Sequence, residues 1–125
     1  MLQPKGYIAL LTVLALLVLS LSFSVVVTYT SVDQLQSSLS VVHGARALAL
    51  AEGCVEDALL QRWRDTNYEG GDYEYLDGRC HVVVEEQGTT LEFISMGRVD
   101  VFERTVRVRL DQSVTPPAIL SWLEP

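Results

Sequence analysis

Polarity changes character twice along this chain. From Tyr7 to Val27 the residues are apolar apart from Thr12, Ser20, Ser22 and Ser24, and none is charged. Such a stretch spans ~32 Å as an α-helix, which matches the hydrocarbon core of a bilayer. From Thr30 to Ser40 the chain turns polar and serine-rich but carries no strong helix breaker. Apolar residues then return at helical spacing, with Val41, Ala45, Leu48, Val55, Leu59 and Trp63 on one stripe and Arg46, Glu52 and Glu56 flanking it. No proline lies between Gly6 and Pro116, and Ala45, Ala47, Ala49 and Ala51 add strong helix propensity. The pattern predicts one helix from about Tyr7 to Arg64, apolar all round in its first half and amphipathic in its second, roughly 87 Å long. A domain of this size cannot bury such a helix, so its first half belongs in lipid or among identical helices. Gly44 and Gly53 each cost up to ~1 kcal/mol relative to Ala, which predicts a bend or a close contact beside them.

Past the helix the period falls to two. Asn67 to Asp72 reads as a loop, with Gly70-Gly71 supplying backbone freedom. Tyr73–Leu76 leads into Asp77-Gly78, a hairpin signal. Cys80–Glu86 carries the β-branched run Val82-Val83-Val84, and Thr90–Met96 follows a turn at Gln87-Gly88. Val99–Asp111 alternates most cleanly: Phe102, Val106, Val108 and Leu110 share one face, with Arg104 as the exception. These segments predict an antiparallel meander of three to four strands with one apolar face. The stripe of Val55, Leu59 and Trp63 is its expected cover, giving an α+β fold. Pro116-Pro117 ends the last strand, and Ala118 to Leu123 is a short apolar run. The sequence leaves open whether that run folds back on the sheet or meets a neighbouring subunit. The expected divisions are residues 1–6, 7–29, 30–64, 65–111 and 112–125.

Charge changes the picture in one way. From Asp33 onward lie 16 acidic and 8 basic residues, a balance of −8. That argues against a nucleic-acid partner, which needs clustered Lys and Arg to displace counterions. Arg98, Arg104, Arg107 and Arg109 form a small basic patch, but Asp100, Glu103 and Asp111 are expected to neutralise it. Lys5 and the free amine favour a cytoplasmic N-terminus with the acidic domain outside. Cys54 and Cys80 both lie beyond the apolar segment, so they share a compartment and are read as a disulfide stapling helix to sheet. Its loop closure is worth roughly 3–4 kcal/mol.

A cleavable secretory signal is the main rival for the N-terminal segment, since Ser20-Leu21-Ser22 resembles a small-residue cleavage site. Phe23, Val25, Val26 and Val27 prolong the apolar run beyond it, which weighs against removal.

The layout resembles the type IV pilin and type II secretion pseudopilin family. The resemblance rests on the leader Met1 to Gly6 ending in Lys5-Gly6, the aromatic Tyr7, the uncharged run, the long helix and the small C-terminal sheet. It implies cutting after Gly6 by a prepilin peptidase, methylation of Tyr7, and assembly with other pilin or pseudopilin subunits through the N-terminal helix. Inner-membrane assembly machinery is the further partner it implies. Most members carry glutamate at the fifth mature position, thought to pair with a neighbour's amine; here Leu11 stands there. Minor members, including the tip subunit of secretion filaments, also lack it. The segment Ala47–Leu60 looks like the small-residue, acidic helix of such minor pilins. The resemblance thus implies a minor or tip subunit and no catalysis.

Other chemistry is sparse. His43 and His81 are the only histidines, and no serine-hydrolase elbow, phosphate loop or zinc helix occurs. No cofactor is expected. The acidic loop holding Asp65, Glu69 and Asp72 is a weak candidate for calcium, without EF-hand spacing.

Overall fold

The computed structural model of the chain describes residues 4–125. They form two compact units, divided between Leu39 and Ser40. Helix α1 runs without a break from Pro4 to Arg64. It is already helical at Pro4, the first described residue and three before the predicted Tyr7, a conformation that the fixed φ of proline allows. Arg62 and Arg64 occupy the last turn, where cations favour the carbonyl end of the helix. Asp65 then turns the chain, its Oδ1 accepting the Asn67 amide at 2.9 Å.

Five strands follow: β1 (Gly70–Tyr75), β2 (Gly78–Gln87), β3 (Thr90–Val99), β4 (Phe102–Asp111) and β5 (Ala118–Leu123). They make one sheet in the order β1-β2-β3-β4-β5, antiparallel throughout. Sequence reasoning expected three to four strands and differs in three places. Gly70, Gly71 and Asp72, expected in the loop, belong to β1, because their backbones pair with Val83, Val82 and His81 of β2. The expected strand Val99–Asp111 is divided, because Val99 closes β3 and pairs with Phe102 across a two-residue turn at Asp100-Val101. Asp100 takes φ 56°, a left-handed conformation that aspartate tolerates better than most residues. The expected tail contains β5, which pairs with β4 and is tied further by Arg104 Nη1 to Glu124 at 2.9 Å. The apolar run at 118–123 therefore folds back on the sheet.

The core joins Phe93, Leu91, Val82, Val106 and Val108 of the sheet to Ala51, Cys54, Val55 and Ala58 of α1. The helix face in contact differs from the predicted stripe. Its buried residues are Gly44, Ala47, Ala51, Cys54, Val55 and Ala58. Leu48 and Leu59 are half-buried, Val41 and Ala45 are exposed, and Trp63 is 73% exposed. The cause is how closely backbone meets backbone. A methyl group at Gly97 of β3 would stand 2.6 Å from the Ala51 amide nitrogen and inside contact distance of the Ala47 carbonyl oxygen. Where Gly97 meets the helix only small residues fit, and the larger core side chains, Val55 and Phe93 among them, pack beside that point. Gly44 meets its expected close contact, since a Cβ there would touch Arg104 Nη2 at 3.4 Å. Gly53 does not: it is exposed, with open space around it.

Candidate assembly surface

In the first unit, the leader expectation falls partly on residues 1–3, which lie outside the described residues. Lys5, Gly6 and Tyr7 are in the opening turns of α1 and exposed. Leu11 is exposed too, as is every apolar residue from Tyr7 to Leu39. This part of α1 is long and apolar enough to cross a membrane, judged by length and composition. Its hydroxyls fit that environment. Thr12 donates to the Ala9 carbonyl at 2.8 Å, and Ser20, Ser22, Ser24 and Thr28 each donate four residues back at 2.7–2.9 Å. Thr30 and Ser31 both reach the Val27 carbonyl. Back-bonded hydroxyls need no outside partner, so the serine and threonine side chains from Thr12 to Ser31 are satisfied within the helix itself.

In the second unit, Cys54 and Cys80 are joined, with Cα atoms 6.6 Å apart, linking α1 to β2. Tyr75 Oη stands 3.9 Å from Cys54 Sγ. Of the residues expected to pack helix on sheet, Val55, Val106 and Val108 are buried. Leu59 and Leu110 are half-buried against that core. Phe102 is half-buried and stacks on His43, ring centroids 5.8 Å apart. Trp63 does not join them. Below it, Arg62 donates to the Tyr68 carbonyl at 3.0 Å and pairs with Glu86 at 3.2 Å. Tyr68 and Tyr73 share a hydroxyl hydrogen bond. Burial, then that bond, pushes the Tyr68 hydroxyl well above the ordinary tyrosine range.

The acidic residues proposed for calcium are not brought together. Asp65 caps a turn, the Glu69 carbonyl accepts the Val84 amide, and Asp72 pairs with His81 across β1 and β2. Among the described residues no group of three or more His, Cys, Asp or Glu side chains is placed to hold a metal. Three arginines of the basic patch are paired, by different acids than expected, while Arg98 Nε donates to the Asp100 backbone carbonyl at 3.4 Å. Glu92 Oε1 meets Arg107 at 3.5 Å and Arg109 at 3.3 Å, and Glu124 meets Arg104. Asp111 instead accepts the amide and hydroxyl of Ser113, which holds its carboxyl below the ordinary range.

A cleft of about 410 Å³ lies over the solvent face of β1–β4, with Asp72, His81, Arg79, Arg98 and Glu103 around it. Its lining holds an Asp–His pair but no serine, threonine or free thiol beside it.

The close approach of Gly97 to Ala47 and Ala51, on the buried small-residue stripe Gly44, Ala47, Ala51 and Ala58, escaped sequence reasoning. Its signal was present in the spacing of three, four and seven between those small residues, overshadowed by the bulkier stripe. No protein-family model, no curated protein and no solved structure matches this chain.

Proposed function

We propose that the chain is a minor pilin-like, or pseudopilin-like, structural subunit. In this reading residues 7–29 anchor it in the cytoplasmic membrane with the N-terminus inside and the sheet domain outside. A prepilin peptidase cuts after Gly6, Tyr7 is methylated, and assembly machinery then moves the helix from lipid into a filament of a type IV pilus or a type II secretion system. The observation that carries the reading is the uncharged, fully exposed run of α1 from Tyr7 to Val27, whose serine and threonine hydroxyls are back-bonded, within a helix that continues unbroken to Arg64. Such a segment is stable in lipid and, through dispersion contacts and small side chains, equally able to pack on other helices. The Cys54–Cys80 bond supports an oxidising compartment for the domain. Leu11 supports a minor or tip position, because it cannot offer a carboxylate to a neighbour's amine.

The same Leu11 favours a second reading, a single-pass anchored domain that never enters a filament. Isolation of surface filaments from cells expressing a tagged chain separates the two. The first reading requires the chain in the filament fraction; its confinement to the membrane fraction favours the second.

A further inference from the structure

The exposed face of α1 in the first unit carries a repeat of seven. Leu11, Val18, Val25, Val32 and Leu39 follow one another at intervals of seven residues. Three residues after each of the first four stand Leu14, Leu21, Thr28 and Leu35. Alternating steps of three and four define the two seam positions of a left-handed coiled coil, and a β-branched residue at the first with leucine at the second favours two parallel strands. Within the apolar stretch this pattern decides little, since nearly every position there is apolar. Between Thr30 and Leu39 it decides a great deal. Only Val32, Leu35 and Leu39 are apolar there, all three on the seam and all three exposed.

We propose that this seam docks a second copy of the same chain, in parallel and in register. Charge supports that occupant. The residues flanking the seam, Ser31, Gln36 and Ser38, are uncharged, and the single charge of the segment, Asp33, lies off the seam. Two copies of an otherwise acidic chain can therefore meet here without like charges facing. A lipid surface is a poorer fit, because a stripe of three residues would lie flat on it only if the helix broke near Thr30, and α1 continues through that point. Leu11 takes on a meaning from the same repeat: it fills a seam position, where a carboxylate would have to be buried.

The inference rests on membrane anchoring, which sets both copies in one direction, and not on processing at Gly6. Single cysteines placed in the full chain in its own membranes test it, with the native pair already joined. Val32→Cys, Leu35→Cys and Leu39→Cys should each give a band at twice the chain mass with a short bis-maleimide. Gln34→Cys and Ser37→Cys, on the far side, should not. Leu35→Lys in the Leu39→Cys background should abolish the band while the membrane fraction keeps the protein. Equal linking at all five positions, no linking at any, or adducts only to another protein would overturn the seam. Loss of the chain from carbonate-washed membranes would instead overturn the anchoring.

Discussion

Replacing Gly97 by alanine tests how helix and sheet are held together. The added methyl would stand 2.6 Å from the Ala51 amide nitrogen and 3.0 Å from the Ala51 Cβ, and closer still to the Ala47 carbonyl oxygen. Two of these atoms are helix backbone and have no rotamer through which to yield. Ordinary contact lies at about 3.5–4.0 Å, so α1 must retreat by about 1 Å. A gap of that size forfeits roughly a quarter to a half of each dispersion well, itself about 0.1–0.2 kcal/mol. Taking about 40 atom pairs across the interface, the loss comes to roughly 1–4 kcal/mol, in line with the usual cost of overpacking. Gly53→Ala is the control. It is exposed with open space around it, so it should stabilise the helix by roughly 0.5–1 kcal/mol. Urea unfolding of the full chain in micelles, followed by Trp63 and Trp122 fluorescence, gives both values. A Gly97→Ala midpoint within about 0.5 kcal/mol of wild type at unchanged slope would refute the close-contact argument.

Three further expectations concern the second unit. Replacing both Cys54 and Cys80 with alanine opens a loop of 26 residues' separation, and the chain-entropy relation gives a loss of about 3.5 kcal/mol, measurable in the same unfolding assay. Ser95 is fully buried between Val82 and Val106 with no partner for its hydroxyl; Ser95→Ala should raise stability by about 1 kcal/mol, and a loss would show that the hydroxyl is satisfied. Asp111 has a lowered pKa in the fold, so its contribution is complete at neutral pH and drains away as the pH falls below the ordinary carboxylate range toward the folded value. Ser113→Ala should move the Asp111 titration, followed by NMR, back toward that ordinary range.

Much of this architecture was legible because it depends on signals that tertiary context rarely overrides. An uncharged apolar run, the absence of proline over a hundred positions and a run of alanines dictated α1 to its final residue. Two lone cysteines beyond that run paired with each other. Strand alternation located β2, β3 and β4, yet the turn at Asp100-Val101 was invisible, since neither glycine nor asparagine marks it. β5 was read as tail because two prolines precede it and its six residues do not alternate. The helix–sheet contact was misassigned for a different reason. Hydrophobic periodicity ranks residues by size, whereas a contact held at backbone distance selects for smallness, and Ala47, Ala51 and Gly97 carry no weight on such a scale. The same bias hid the role of Glu92, whose two arginine partners lie across the β3–β4 pairing rather than near it in sequence.

The central claim is that the N-terminal segment is kept, trimmed and used for assembly. Mass spectrometry and N-terminal sequencing of the chain recovered from its own cell envelope address it most directly. The account predicts a mature chain that begins at Tyr7 and is one methyl group heavier than its sequence. A chain still beginning at Met1, or one beginning near Phe23, would contradict it.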